Sequence, residues 1–340
     1  MGARKSQQMP LLEIKDLTLE FGAGAERTRA IDGVTLSVSA GEVVCLAGES
    51  GCGKTVTALS IARLVPTPPA YYPSGRILLD GLEVLRLSER GLRQIRGRVV
   101  GYVFQEPASA LNPVRRVGAQ IRESLRWHRP EAATEAEVIR LLRLVGIPVP
   151  EVRARDYPHT LSGGMQQRVM IAMAIAAQPR LLVADEPTTA LDVTLQAQIL
   201  ELLRELKQQF QMSLLLITHH LGVVREIADR VAVMYAGQIV ELAPARALLQ
   251  RPLHPYTRAL KEAVPRLGAS APRLTSIPGA VPGVGAGPRG CRFHPRCAWA
   301  QADCSLRVPE LAEVESGRLV RCPYWNRPFP ERLSQVEHPV

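Results

Sequence analysis

The sequence predicts an α/β fold: a parallel sheet covered by helices, a helical block inserted partway, and a small irregular cysteine-rich region at the end. Three observations predict it. Residues 43–47 are wholly apolar and are followed by a glycine-rich loop and then a helical pattern from about residue 54 to 64. Further short apolar runs at residues 99–104, 181–184 and 214–217 read as strands, because a strand covered on both faces needs no polar alternation. Between them, from about residue 114 to 178, the pattern turns helical.

The remaining elements follow in order. Residues 11–21 alternate loosely and read as a strand, as do residues 35–38, and Gly41-Glu42 is a turn. Thr134-Glu135-Ala136-Glu137 is a capping box ahead of Val138, Ile139, Leu141 and Leu142, and Gly146 stops that helix. Residues 231–235 and 238–242 read as late strands on the same core. After about residue 249 the character changes: eight of the fourteen residues from 277 to 290 are Pro or Gly, which suits an irregular arm. The expected division is a main domain at residues 1–250, with its helical subdomain at about 106–178, and an arm at residues 251–340.

Composition bounds the function. A chain of 340 residues suits one large domain and a small one. Aromatic residues are only 4%, so the core is expected to be Leu, Val, Ile and Ala. No apolar run reaches the roughly 18–20 residues of a membrane span, and the start lacks a signal-peptide core, so membrane contact is expected through partners. Met1-Gly2-Ala3-Arg4-Lys5-Ser6 fits the loose myristoylation pattern, which we read as chance. A net charge of +10 suits nucleic acid, an anionic membrane face or nucleotides without choosing among them.

Gly48-Glu49-Ser50-Gly51-Cys52-Gly53-Lys54-Thr55 chooses. It has the spacing of a phosphate loop, with a strand before it and a helix after it. Gly48, Gly51 and Gly53 let backbone N–H groups converge on phosphate oxygens around Ser50 and Cys52, and the helix start through Val56 adds its positive end. Lys54 is placed to reach the β- and γ-phosphates of ATP, and the Thr55 hydroxyl to ligate Mg²⁺. The run at residues 181–184 ends in Asp185-Glu186. A parallel strand presents ligands at its carboxyl end, so Asp185 is placed to hold the Mg²⁺ shell and Glu186 to act as general base on a water.

The residues that narrow the class are Leu161-Ser162-Gly163-Gly164-Met165-Gln166-Gln167-Arg168. Ser162 is suited to cap a helix beginning near Met165, while Gly163 and Gly164 expose N–H groups at its positive end. This segment, with Gln166, resembles the signature of ABC ATPases. In the same order, Gln105 resembles that family's Q-loop, which touches Mg²⁺ and the attacking water. Ala190-Leu191-Asp192 resembles its D-loop, and His219 its switch histidine at the γ-phosphate. Phe21 lies where the family carries the aromatic that stacks on adenine; a lone Phe is equally a core residue. One departure is His219-His220, where the family has His-Asp.

The resemblance implies a P-loop, RecA-like nucleotide-binding domain with an inserted helical subdomain. Two such domains pair head to tail around two ATP molecules. With one motif set, this chain needs a second ATPase, which the resemblance makes a paralogue, beside two transmembrane permeases and an extracytoplasmic substrate-binding protein. Residues 106–113 are expected to help form the groove for a permease helix. His254-Pro255-Tyr256-Thr257 and Gly290-Cys291-Arg292-Phe293-His294-Pro295-Arg296-Cys297 are similar to segments of the dipeptide, oligopeptide and nickel importer group. The expected activity is ATP hydrolysis powering peptide import at the cytoplasmic face of the inner membrane, without nucleic acid. The alternative is a soluble ABC ATPase acting on nucleic acid in repair or translation.

Cys291, Cys297, Cys304 and Cys322 are spaced C-x₅-C-x₆-C-x₁₇-C. Zinc sites favour C-x₂₋₄-C pairs, which are missing, whereas a [4Fe–4S] cluster also takes four cysteines and tolerates varied spacing. The arm is similar to that of family members carrying such a cluster. The expectation is an iron–sulfur cluster, with zinc or reduced thiols as alternatives.

Overall fold

The structure is a computed structural model and describes residues 9–22, 26–189, 191–263 and 277–328. Residues 1–6 and Ala190 lie outside the described residues.

Twelve strands are present among them: β1 (Leu12–Phe21), β2 (Thr28–Val38), β3 (Val43–Ala47), β4 (Ala70–Leu79), β5 (Leu82–Glu83), β6 (Val100–Val103), β7 (Leu181–Asp185), β8 (Ser213–Thr218), β9 (Arg230–Tyr235), β10 (Gln238–Pro244), β11 (Ala312–Glu315) and β12 (Arg318–Val320). They form two sheets, one in the order β2-β1-β4-β5 and the other in the order β11-β12-β10-β9-β3-β8-β7-β6. Five adjacent strands of the larger sheet, from β9 to the edge strand β6, are parallel.

The apolar runs that predicted the parallel strands are covered on both faces. In β3, Val43, Cys45 and Ala47 enter one core, and Val44 and Leu46 enter the other. Each fully buried Leu or Val stabilises by about 1.5–3 kcal/mol. The first core lies under the helical insert, and the second lies between the two sheets.

The smaller sheet was hidden from pattern reading. β4 carries Pro73-Ser74-Gly75, which reads as a turn, and four successive exposed residues. Gly75 lies opposite an irregularity in β1 at Asp16, whose φ is +46°. A Cβ on Gly75 would meet the Asp16 carbonyl at 2.5 Å, so only glycine lets the strands close there.

The main helices are α1 (Lys54–Ser60), α2 (Glu89–Ile95), α3 (Pro107–Ala110), α4 (Val117–His128), α5 (Glu135–Leu144), α6 (Pro150–Arg153), α7 (Gly163–Ile175), α8 (Val193–Phe210), α9 (Leu221–Ile227), α10 (Ala245–Gln250) and α11 (Pro255–Glu262). Thr134 caps α5, accepting from the Glu137 N–H at 3.2 Å, but the Glu137 carboxylate pairs with Arg140 and does not close the expected box. The helix α7 is wholly apolar from residue 169 to 175 and packs against α3, α4, α5 and β6. It begins two residues earlier than the sequence suggests, because the Ser162 hydroxyl accepts from the Met165 N–H at 3.3 Å and so makes Gly163 the first helical residue. Among the described residues no helix is long and apolar enough to cross a membrane.

The C-terminal residues fold against the main sheet. β12 pairs antiparallel with β10, matching Glu241 to Val320 and Leu242 to Leu319. Phe293 packs edge-on to Tyr235 with ring centres 5.2 Å apart, and Tyr256 closes the cluster 4.6 Å from Tyr235. Glu241 is fully buried there. Its carboxylate accepts from the N–H groups of Leu253 and His254 and lies 3.5 Å from Arg318.

Candidate nucleotide site

Because β3, β6, β7 and β8 run parallel, their carboxyl ends open on one edge of the sheet. The phosphate loop leaves β3, Gln105 lies just past β6, Asp185 ends β7 with Glu186 next, and His219 follows β8. These predicted site residues, up to 171 positions apart in sequence, therefore meet in space.

The loop is held by close approach. A Cβ on Gly48 would meet the Met234 carbonyl at 2.2 Å, and one on Gly53 would meet the Met234 side chain at 2.9 Å. Gly51, by contrast, has open space around it, and Ser50 and Thr55 are exposed. Cys52 is buried under the loop, and its burial pushes the thiol pKa up. Val56 is half-buried on α1. Lys54 is buried, and its ammonium donates to the carbonyls of Gly48 at 2.8 Å and Glu49 at 2.9 Å.

Asp185 faces the Thr55 hydroxyl, which hydrogen-bonds its carboxylate; burial nevertheless raises the Asp185 pKa. Its Oδ1 is buried without a hydrogen-bond partner. An orphaned carboxylate oxygen beside a hydroxyl fits a hard, oxygen-seeking cation such as Mg²⁺.

Glu186 is the hub of the edge. Its Oε1 lies 4.0 Å from the Lys54 ammonium. Its Oε2 accepts from Thr189 Oγ1 at 2.9 Å and Gln105 Nε2 at 3.4 Å, and lies 3.1 Å from His219 Nδ1. Glu186 has a φ of +45°, an uncommon conformation for a residue with a Cβ. Thr189 is the one member of this group that sequence reading missed. A threonine three residues past a strand-end carboxylate is too common a pattern to mark a role. His220 takes a different course: its N–H donates to Thr218 Oγ1 at 3.0 Å, and its ring lies against Gly222.

The structure does not join the signature residues to this edge. Ser162 serves as the α7 cap, and Gln166 Nε2 donates to the carbonyls of Pro158 and Leu161 within the insert. Around Gly163 there is open space, and Gly164 backs onto Leu195. Asp192 caps α8, accepting from the Leu195 N–H at 2.9 Å. Phe21 ends β1 half-buried against the second core.

The four arm cysteines, spread over 32 positions, line a single cavity of about 240 Å³ with His254, Phe293 and Trp299. All four are free thiols. Burial and the neighbouring thiols push Cys297 up to about 12 and Cys322 up to about 11, and burial raises Cys291 as well. Among the described residues no three His, Cys, Asp or Glu side chains are grouped so as to hold a metal ion.

Fold and site together define an ATPase of the phosphate-loop class, with one cassette and a C-terminal addition. The family described as ABC transporter matches residues 31–189, and the one described as oligopeptide/dipeptide transporter, C-terminal region, matches residues 240–304. A putative peptide import ATP-binding protein of Brucella ovis is 47% identical over 331 residues, covering 94% of this chain and 98% of the relative. The dipeptide transport ATP-binding protein of Escherichia coli is 46% identical over 323 residues, covering 93% and 97%. The solved dimeric structure of a bacterial ABC transporter cassette superposes with a TM-score of 0.62 at 28% identity, covering 69% of this chain and 99% of the cassette. The chain belongs to the ABC transporter family, and it is an ATPase.

Proposed function

We propose that the chain powers the import of peptides, as one ATPase of a heteromeric transporter. Dipeptides or oligopeptides are the cargo suggested by the names of its relatives and by the match of residues 240–304. Two permeases, a second and paralogous ATPase, and an extracytoplasmic binding protein complete the assembly at the cytoplasmic face of the inner membrane. A groove between insert and sheet, lined by Leu64, Tyr102, Phe104, Leu111 and Met170, is suited to receive a permease helix.

The observation that carries the catalytic reading is the convergence of Lys54, Gln105 and His219 on Glu186. ATP binds with its β- and γ-phosphates at the loop amides and Lys54, and with adenine on Phe21. Thr55, Asp185 and Gln105 would hold Mg²⁺, which supplies charge neutralisation when bound. Glu186 accepts a proton from water as the water oxygen attacks the γ-phosphorus and the bond to the bridging oxygen breaks, giving ADP and phosphate. His219 and Gln105 hold the water and γ-phosphate in line. Ser162, Gly163, Gly164 and Gln166 complete the site of the paired ATPase, a role supported by the open face of Gly163.

The finer reading of the arm is a [4Fe–4S] cluster on Cys291, Cys297, Cys304 and Cys322. Its support is that all four thiols line one cavity. A single zinc ion at about 2.3 Å from each sulfur needs the thiols drawn much closer together than a four-iron cube does. When bound, the group cross-links an arm that has little core of its own. Iron and acid-labile sulfide assayed in anaerobically purified protein test this; zinc, or no metal at all, would refute it.

The whole reading is tested by purifying the tagged chain from membranes in mild detergent and reconstituting what elutes. Two multispanning proteins, a second ATPase and peptide-stimulated ATP hydrolysis are expected. Elution from the soluble fraction with nucleic acid would overturn the importer in favour of the repair or translation reading.

A further inference from the structure

Glu49 is the second residue of the phosphate loop, and the arm holds it. Its carboxylate takes both terminal nitrogens of Arg296, at 2.9 and 3.0 Å, across 247 residues of sequence. Its backbone N–H donates to the Tyr256 hydroxyl at 2.8 Å, and its carbonyl accepts from the Lys54 ammonium at 2.9 Å. Arg296 is itself anchored: its side chain is only 6% exposed, its Nε donates to the Pro278 carbonyl at 2.7 Å, and one terminal nitrogen reaches the Tyr235 hydroxyl at 3.3 Å.

An acidic residue is out of place in a loop built to receive a nucleoside triphosphate, because its charge opposes the ligand's. A two-pronged guanidinium contact answers this, since it cancels the charge and fixes the carboxylate's direction.

We propose that Arg296 is a positioning residue of the nucleotide site: from the cysteine-rich arm it neutralises Glu49 and holds that carboxylate turned away from the bound triphosphate. The arm is thereby part of the machinery that sets nucleotide affinity. The proposal rests on the reading of Gly48-to-Thr55 as the phosphate loop, and it does not depend on what the four thiols bind.

The test is a double-mutant cycle on the full chain, reading the dissociation constant of a fluorescent ATP analogue with Mg²⁺. Arg296→Gln is expected to bind roughly tenfold more weakly, within the range of coupled charge pairs. Glu49→Gln is expected to bind at least as tightly as the parent, and the double variant to return close to it. In the assembled transporter KM for ATP should rise in Arg296→Gln while kcat holds, and Arg296→Lys, which keeps the charge but not the two-pronged contact, should recover part of the affinity. A double variant as weak as Arg296→Gln would show that Arg296 acts on folding alone and would overturn the proposal. So would weaker binding by Glu49→Gln, a measurement that remains available if Arg296→Gln does not fold. Lys54→Ala separates the two readings. If it weakens binding while Arg296→Gln does not, only this proposal falls; if it leaves binding unchanged, the loop assignment falls and takes the proposal with it.

Discussion

The Oε2 of Glu186 stands 3.1 Å from the Nδ1 of His219, across the gap between two neighbouring parallel strands. The register brings them near: Asp185 pairs with Ile217, so Glu186, just past β7, comes level with Thr218, the last residue of β8, and His219 follows one position on. Thr189 holds the other side of the same oxygen at 2.9 Å. The carboxylate is thus aimed before any substrate arrives.

Glu186→Gln keeps the shape and loses the base. It is expected to retain ATP affinity and to lower steady-state phosphate release by about 10²–10⁴ in the assembled complex. Near-parental turnover would remove Glu186 from the general-base role.

The adjacent histidines should separate sharply. His219→Ala is expected to cost about a hundredfold or more in turnover, as the loss of a positioning contact does. His220→Ala, whose ring lies against Gly222 rather than Glu186, should stay within about threefold of the parent, as surface changes away from a site do. Equal losses, measured side by side as phosphate release, would reverse this assignment.

Gly48 has no room for a side chain. Gly48→Ala sets a Cβ 2.2 Å from the Met234 carbonyl, and the strand β9 must yield. Loss of about 2 kcal/mol or more by urea unfolding, together with loss of nucleotide binding, is expected. Gly51→Ala meets nothing within 4 Å, but its φ of +79° still strains an alanine, so a smaller loss of about 1 kcal/mol is expected.

Asp32 joins the first and last parts of the chain. Burial works to raise its pKa, but Arg292 beside it, with Gln238 and Arg29, holds it below the usual carboxylate range. A depressed carboxyl contributes stability that is present above its unfolded value, near 3.8, and that is lost as pH falls through the lower folded value. Asp32→Asn should therefore cost about 1–2 kcal/mol at pH 7, and the gap to the parent should close below about pH 4. Urea unfolding at both pH values reads it; a gap independent of pH would exclude the charge.

Much of the site was legible because its strands are buried on both faces. The runs at β3 and β7 are apolar up to the loop and Asp185, and the apolar residues 214–217 of β8 lie just before Thr218 and His219. The smaller sheet was illegible for the opposite reason. Its exposed strand β4 alternates poorly, and Gly75 matters only through its contact with Asp16. The arm was read as a unit apart because Pro and Gly interrupt it, yet β12 pairs with β10 and Arg292 reaches Asp32. Such pairings, between residues 77 to 260 positions apart, leave no periodic trace. Arg296 escaped for the same reason, whereas Thr189, three residues from the carboxylate it touches, sits in too common a pattern to mark a role.

The central place of β3 has a consequence for the order in which the protein is made. β3 ends at Ala47, but its two neighbours, β8 and β9, begin at Ser213 and Arg230. At ordinary rates of synthesis that interval is roughly ten to thirty seconds. During it an apolar five-residue strand has no edge to pair with. The antiparallel sheet of β1, β2 and β4 is complete by Leu79, and its core face is the one that Val44 and Leu46 join. It gives the nascent chain a surface that shelters β3 on one side until the other strands leave the ribosome.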